Sequence, residues 1–148
     1  MDYDLFGLGN ALVDALVVLD DRDLVRRHDL KRGTMHLVSD ERWQGVYNEV
    51  RGDAVQMHPG GSCANAVSTA AQLGAVSTFC GLVGTDPLGQ TYETRLREVL
   101  GGHHHLVHRD EEPTGKCLSL ISTDDAERTM LTDLGVSMQL SPKEVPLD

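Results

Sequence analysis

Eight residues near the middle of the chain, Val76-Ser77-Thr78-Phe79-Cys80-Gly81-Leu82-Val83, form a near-continuous apolar run between two segments of helical character. That is the pattern of a strand buried on both faces, which belongs in a parallel sheet covered by helices. Upstream, Ser62 to Leu73 reads as a helix whose Ala64, Ala66, Ala70 and Ala71 allow close approach to a sheet. Gly74 stops it. Downstream, Asp86-Pro87 opens a helix through Leu100, with Leu88, Leu96, Val99 and Leu100 facing inward and Gly101-Gly102 ending it. His103 to His108 can form the next strand. Helix, strand, helix, strand over this stretch predicts a parallel α/β layer.

The flanking sequence does not continue that alternation. Tyr3 to Leu8 is a short β-rich run. Ala11 to Leu19 is apolar, with Asp14 as its one charge, either an edge gatekeeper or a ligand contact. Asp21 to His28 reads as a short helix and Thr34 to Val38 as a strand. Ser39 caps a helix from Asp40 to about Val50, with Trp43, Val46 and Val50 at helical spacing. A strand from Ala54 to Met57 leads into Gly60-Gly61. Lys116 to Thr123 and Arg128 to Asp133 flank Asp124-Asp125 as a hairpin. Two compartments are expected, a parallel layer and a small sheet beside it.

Composition removes several function classes. The chain has 148 residues, 40% of them hydrophobic, and no run of about 18 apolar residues to span a membrane. Its acidic start lacks a signal-peptide pattern. Cys63, Cys80 and Cys117 show neither metal-ligand spacing nor a disulfide framework, so a reducing cytoplasm is the expected setting. A net charge of −10 argues against a nucleic-acid surface. A phosphorylated ligand would need local backbone dipoles or a metal ion to hold it.

The segment His58-Pro59-Gly60-Gly61-Ser62-Cys63-Ala64-Asn65 carries the chemistry. Paired glycines let backbone N–H groups approach a ligand, and the helix that opens behind them adds unpaired N–H groups and a positive dipole end. Asn65, one turn in, both donates and accepts. Such a place suits a ligand rich in hydroxyls or oxyanions. A β-branched side chain at Gly61 is expected to abolish binding while costing less stability than a core substitution.

Together with Leu5-Phe6-Gly7-Leu8-Gly9-Asn10, Leu73-Gly74-Ala75, Gly81 to Gly89, Pro113-Thr114-Gly115 and Glu127 to Gly135, these residues resemble the ribokinase/PfkB family of carbohydrate and nucleoside kinases, nearest its adenosine-kinase-like branch. The resemblance implies a ribokinase-like α/β fold with a core at about 1–10 and 59–112 and a β-sheet lid at about 11–58 and 113–135. It implies ATP-dependent phosphorylation of a primary hydroxyl, with magnesium, on a sugar or nucleoside. Asn10 and Asp14 match the family's binders of substrate hydroxyls, and Gly60, Gly61 and Asn65 its grip on the other sugar oxygens. Leu12, Met35, Leu37 and Leu134 match its apolar walls, with core packing an equal alternative for all four.

The family's second half, with its Gly-Ala-Gly-Asp base, anion hole and nucleotide platform, has no counterpart here. The expectation is therefore an N-terminal, substrate-holding portion that is inactive alone, contains no catalytic or metal residue and mostly lacks the sites for the ATP and Mg2+ that the resemblance implies. Were it active, a base would be sought among Asp86, Asp110 and Asp133. A truncated paralogue that binds a sugar, nucleoside or partner without chemistry is the alternative. A dinucleotide-binding oxidoreductase is disfavoured, because Gly7-x-Gly9 lacks a third glycine and a following helix. A dimer through the lid or an exposed sheet edge is expected.

Three further signals read as structural. His103, His104, His105 and His108 are expected to be solvated strand residues. Cys117 reads as a small buried residue, with a substrate contact in the lid run as the alternative, and Asp20, Asp21 and Asp23 as a helix N-terminal acidic cluster.

Overall fold

The computed structural model describes residues 2–52 and 55–146. In chain order the elements are β1 (Leu5–Leu8), β2 (Leu12–Leu19), α1 (Arg22–Arg27), β3 (Met35–Leu37), α2 (Asp40–Val50) and β4 (Gln56–Gly60). There follow α3 (Ser62–Gln72), β5 (Ser77–Gly84), α4 (Pro87–Leu100), β6 (His104–Arg109), β7 (Gly115–Ser122) and β8 (Arg128–Asp133). Short 3-10 helices at Gly135–Gln139 and Pro142–Glu144 come last. The strand expected to start at Ala54 is seen from Gln56, and Ala54 lies outside the described residues. The chain divides into two compact units: Met1–Val13, Pro59–Gly115 and Leu134–Asp148 form one, Asp14–His58 and Lys116–Asp133 the other.

The first unit is the parallel layer. Its sheet runs β1-β5-β6, with Leu5 opposite Ser77 and Phe79 opposite His104, both pairs parallel. All eight residues of β5 are buried, as a central parallel strand requires. Ala64 and Val67 of α3, and Tyr92, Leu96 and Leu100 of α4, pack on Phe79 and Val83. Gly7 has no room for a side chain, because a Cβ there would strike Val67. Asp86 caps α4 by accepting from the Gly89 amide at 2.8 Å, and Thr114 donates to it from its hydroxyl (2.6 Å) and its amide (2.9 Å). One carboxylate thereby starts a helix and pins the loop that leads into β7.

Two sequence expectations fail in this unit. Val99 is 37% exposed, and the buried stripe of α4 is Gly89, Tyr92, Leu96 and Leu100. Tyr92 fits the interior because its hydroxyl donates to the Gly60 carbonyl at 3.2 Å. Nor is His104 solvated: its side chain is 9% exposed and neither ring nitrogen has a hydrogen-bond partner. His104 and His108 stand four residues apart on one face of β6, near Glu93 of α4.

The second unit is built on a five-stranded sheet of order β3-β8-β7-β2-β4. β7 and β8 are the antiparallel hairpin, with Lys116 opposite Asp133, while β3 joins β8 in parallel. Ala15, Val17, Leu118, Leu120 and Leu131 point to one face, where Leu24 and Val25 of α1 and Trp43, Val46 and Val50 of α2 cover them. Ser39 caps α2 as expected, accepting from the Arg42 amide.

Asp21 departs from the expected acidic cluster. It is fully buried, makes no cap bond and accepts from Arg32 Nε at 3.3 Å. The Arg32 fork reaches on to both Asp125 oxygens at 2.8 and 2.6 Å, tying down the hairpin tip. Lys116 is 2% exposed. Its ammonium lies between Asp40 (2.7 Å) and Asp133 (2.8 Å), 5.2 Å from the centre of the Trp43 ring.

Candidate functional site

In the first unit the chain folds so that backbone meets backbone around Asn10. Gly61 has φ +94°, and a Cβ on it would run into the Asn10 carbonyl oxygen. The glycine is thus needed for fold as well as for any ligand. This corrects the expectation that a side chain at Gly61 spares stability: positive φ and an unyielding backbone neighbour together make it a structural position. Gly60 is buried and held from behind by Tyr92. Asn65 sits one turn into α3, its amide donating to the Gly61 carbonyl at 2.9 Å and its side chain exposed. The α3 N-cap, Gly61, supplies no side-chain cap, so the first-turn amides keep their donor capacity.

Gly115 is bordered by the Leu12 side chain and the Leu134 backbone. A Cβ on Gly115 would lie 2.5 Å from Leu12 Cδ2 and 2.6 Å from the Leu134 carbonyl. Asn10 Nδ2 contacts Met138 Sδ at 3.8 Å and borders an apolar groove of about 480 Å³ lined also by Leu8, Leu140, Pro142 and Val145. Of the expected residues, this unit therefore brings together Asn10, Leu12, Gly60, Gly61, Asn65 and Leu134.

The second unit carries Asp14, Met35 and Leu37 on the sheet face not covered by its helices, as strand alternation places them opposite Ala15, Val17, Leu118 and Leu131. Burial raises the Asp14 carboxyl above its ordinary value, and the charges of Arg128 and His58 oppose that rise. Met35 and Leu37 are 51% and 64% exposed. In the strand order β7 and β8 stand between β2 and β3, a separation of about 14 Å at the usual strand spacing, so neither residue touches Asp14.

That intervening space is filled by Cys117, read from the sequence as a small buried residue, and by three residues the sequence reading passed over. Cys117 and Ser119 of β7 and Met130 and Thr132 of β8 share the face with Asp14. Thr132 donates to Cys117 Sγ at 3.4 Å, and burial pushes the thiol up. The available signal was alternation within the hairpin: once Leu118, Leu120 and Leu131 face the core, their neighbours must face Asp14.

Among the described residues no three His, Cys, Asp or Glu side chains are placed to hold a metal. The acids considered as bases are otherwise engaged: Asp86 in its cap, Asp133 with Lys116, and Asp110 accepting from the Thr85 hydroxyl at 2.7 Å.

A family model described as pfkB family carbohydrate kinase matches residues 34–148. The chain is 25% identical over 142 residues to adenosine kinase 2 of Arabidopsis thaliana, covering 92% of this chain and 40% of that protein. The crystal structure of an adenosine kinase from Sinorhizobium meliloti superposes with a TM-score of 0.86 at 29% identity, covering 98% of this chain and 43% of the other. An adenosine kinase from Schistosoma mansoni, in complex with adenosine, gives 0.80 at 26% identity and covers 97% and 41%. The chain thus spans less than half the length of these relatives.

Proposed function

The chain belongs to the pfkB family of carbohydrate kinases, and from that footing we propose that these 148 residues are the substrate-holding portion of a nucleoside or sugar kinase. The favoured ligand is a ribonucleoside of the adenosine type, whose ribose offers a diol and a primary hydroxyl. The alternative of a binding protein without chemistry has no observation that favours it.

The carrying observation is Asp14. It is the one carboxylate in an otherwise apolar strand, half-buried, on the open sheet face among hydroxyl and thiol side chains. An ionised carboxylate there accepts two hydrogen bonds from a diol, and a deoxy analogue would leave it unpaired in a partly desolvated place. On the first unit, Asn10, Gly60, Gly61 and Asn65 offer amides and a carboxamide suited to sugar oxygens. Leu12, Leu134, Met35 and Leu37 supply apolar surface.

ATP and magnesium would supply the phosphoryl group and its charge neutralisation in such a kinase. The chain's own acids Asp86, Asp110 and Asp133 are held in structural bonds. The three free cysteines suit a reducing cytoplasm. Titration calorimetry of the 148-residue chain with adenosine and with 2′-deoxyadenosine tests the reading. Saturable binding of adenosine, weakened at least tenfold for the deoxy compound, is expected. Equal binding of both, or binding of neither adenosine nor ribose, would overturn it.

A further inference from the structure

The buried stripe of α4 is Gly89, Tyr92, Leu96 and Leu100, and Tyr92 is its one polar side chain. Tyr92 is fully buried in the core that Ala64, Val67, Phe79 and Val83 share. A phenylalanine would fill that space as well, and a hydroxyl in an apolar core costs free energy unless it is paired. Here it donates to the glycine loop, reaching the Gly60 carbonyl at 3.2 Å.

Both ends of that contact are firmly mounted. α4 starts at the Asp86 cap, which also holds Thr114, and a Cβ on Gly89 would collide with the Gly84 carbonyl. On the loop side, Gly61 lies against the Asn10 carbonyl, and its own carbonyl accepts from the Asn65 amide at 2.9 Å. The Gly60 and Gly61 carbonyls are therefore both bonded. Among the described residues no acceptor takes the Gly61 amide. That amide shares a planar trans peptide with the Gly60 carbonyl, so the two point in opposite directions. While Tyr92 draws the carbonyl inward, the amide points away from the core. A peptide between two glycines has no Cβ on either side to stop it turning over. The Tyr92 hydroxyl supplies the missing restraint.

We propose that Tyr92 is a positioning residue for the substrate. Its hydroxyl holds the Gly60–Gly61 peptide in the orientation that presents the Gly61 N–H to an acceptor oxygen of the ligand, a hydroxyl of a ribose or other sugar. The inference rests on the reading of this loop as part of a sugar-binding surface. Tyr92 touches no ligand itself and acts through Gly60. Without the hydroxyl the peptide can turn over, which exchanges a donor for an acceptor at the point of contact.

Tyr92→Phe keeps the ring and removes the hydroxyl. Leu96→Val, one turn further along α4 and also buried, loosens the same core without touching the loop. Wild type and both variants of the 148-residue chain are compared by circular dichroism and urea denaturation, then titrated calorimetrically with adenosine. Tyr92→Phe is expected to bind at least fivefold more weakly than wild type. Leu96→Val should bind within twofold of wild type, even where it is the less stable variant. Backbone NMR reads what a merely structural hydroxyl would not move. In wild type, adenosine should shift the Gly61 amide proton downfield, a result that stands even if Tyr92→Phe fails to fold. In unliganded Tyr92→Phe, the Gly60 carbonyl carbon should move upfield as its hydrogen bond is lost. Equal affinity of Tyr92→Phe and wild type, an equal loss in Leu96→Val, an unmoved Gly60 carbonyl, or a Gly61 amide indifferent to bound adenosine would each overturn the proposal. A wild-type chain that binds neither adenosine nor ribose would remove the substrate reading and this inference with it. Adenosine binding that Tyr92→Phe leaves intact would remove this inference alone.

Discussion

At the scale of single residues, Asp14 and Gly61 separate binding from folding. Asp14 is half-buried on a face with no covering helix, so its removal leaves no cavity in a packed core. Asp14→Ala is expected to cost about 2–3 kcal/mol in adenosine affinity, the worth of hydrogen bonds to a charged group. Its unfolding midpoint in urea should shift little. Calorimetry and a denaturation curve on one sample check both halves, and an affinity loss below threefold would remove Asp14 from the site. Gly61 behaves the other way. With φ +94° and the Asn10 carbonyl where a Cβ would go, Gly61→Ala should destabilise by about 1–3 kcal/mol from backbone strain alone. Denaturant titration of that variant measures it, and wild-type stability would show that the loop can move. The glycine pair was conspicuous in the sequence, but its structural burden was not. Composition reveals freedom of φ and says nothing about which carbonyl stands opposite.

At the scale of elements, two buried charged groups decide how helices are held to sheets. Lys116 joins β7 to β8 through Asp133 and to the first residue of α2 through Asp40. Its hydrogen bond to Asp40 holds that carboxyl below its ordinary value. Lys116→Met should cost about 3 kcal/mol, mostly from losing the buried ion pair with Asp133, since Asp40 is half exposed and screened. A loss under about 1 kcal/mol in chemical denaturation would show the triad to be ornamental.

His104 predicts a pH dependence. Burial pushes its imidazole below the ordinary 6.5, with Glu93 opposing and Arg97, His105 and His108 adding to the fall. The unfolded chain therefore binds a proton below about pH 6.5 that the folded chain refuses, and stability falls as pH drops through that point. His104→Leu should shrink the difference in melting temperature between pH 7.5 and 5.5. An unchanged difference would contradict the assignment. The elements themselves were largely legible: α2 at Asp40–Val50 and β8 at Arg128–Asp133 stand where cap and periodicity put them. Val99 and His104 were misread, and Tyr92 was passed over, because a one-residue turn of a helical stripe, or the face of a strand, depends on what packs against it. In both cases the partner, Gly60 or Glu93, lies on another element.

At the scale of the molecule, the likeness to adenosine kinases extends over nearly this whole chain and less than half of theirs. The parallel layer could be read from one apolar run with helices on either side. The second sheet could be read from strands that break the alternation. Under the proposed reading these residues hold a substrate and do not by themselves transfer a phosphoryl group to it. Asp86, Asp110 and Asp133 are each tied into a hydrogen bond or ion pair. The most direct measurement is ATP turnover by the purified 148-residue chain, at verified full mass, with adenosine and ribose each at millimolar concentration. Turnover no greater than that of a buffer control, alongside calorimetric binding of adenosine, is the predicted result. Sustained turnover that scales with protein concentration would contradict it.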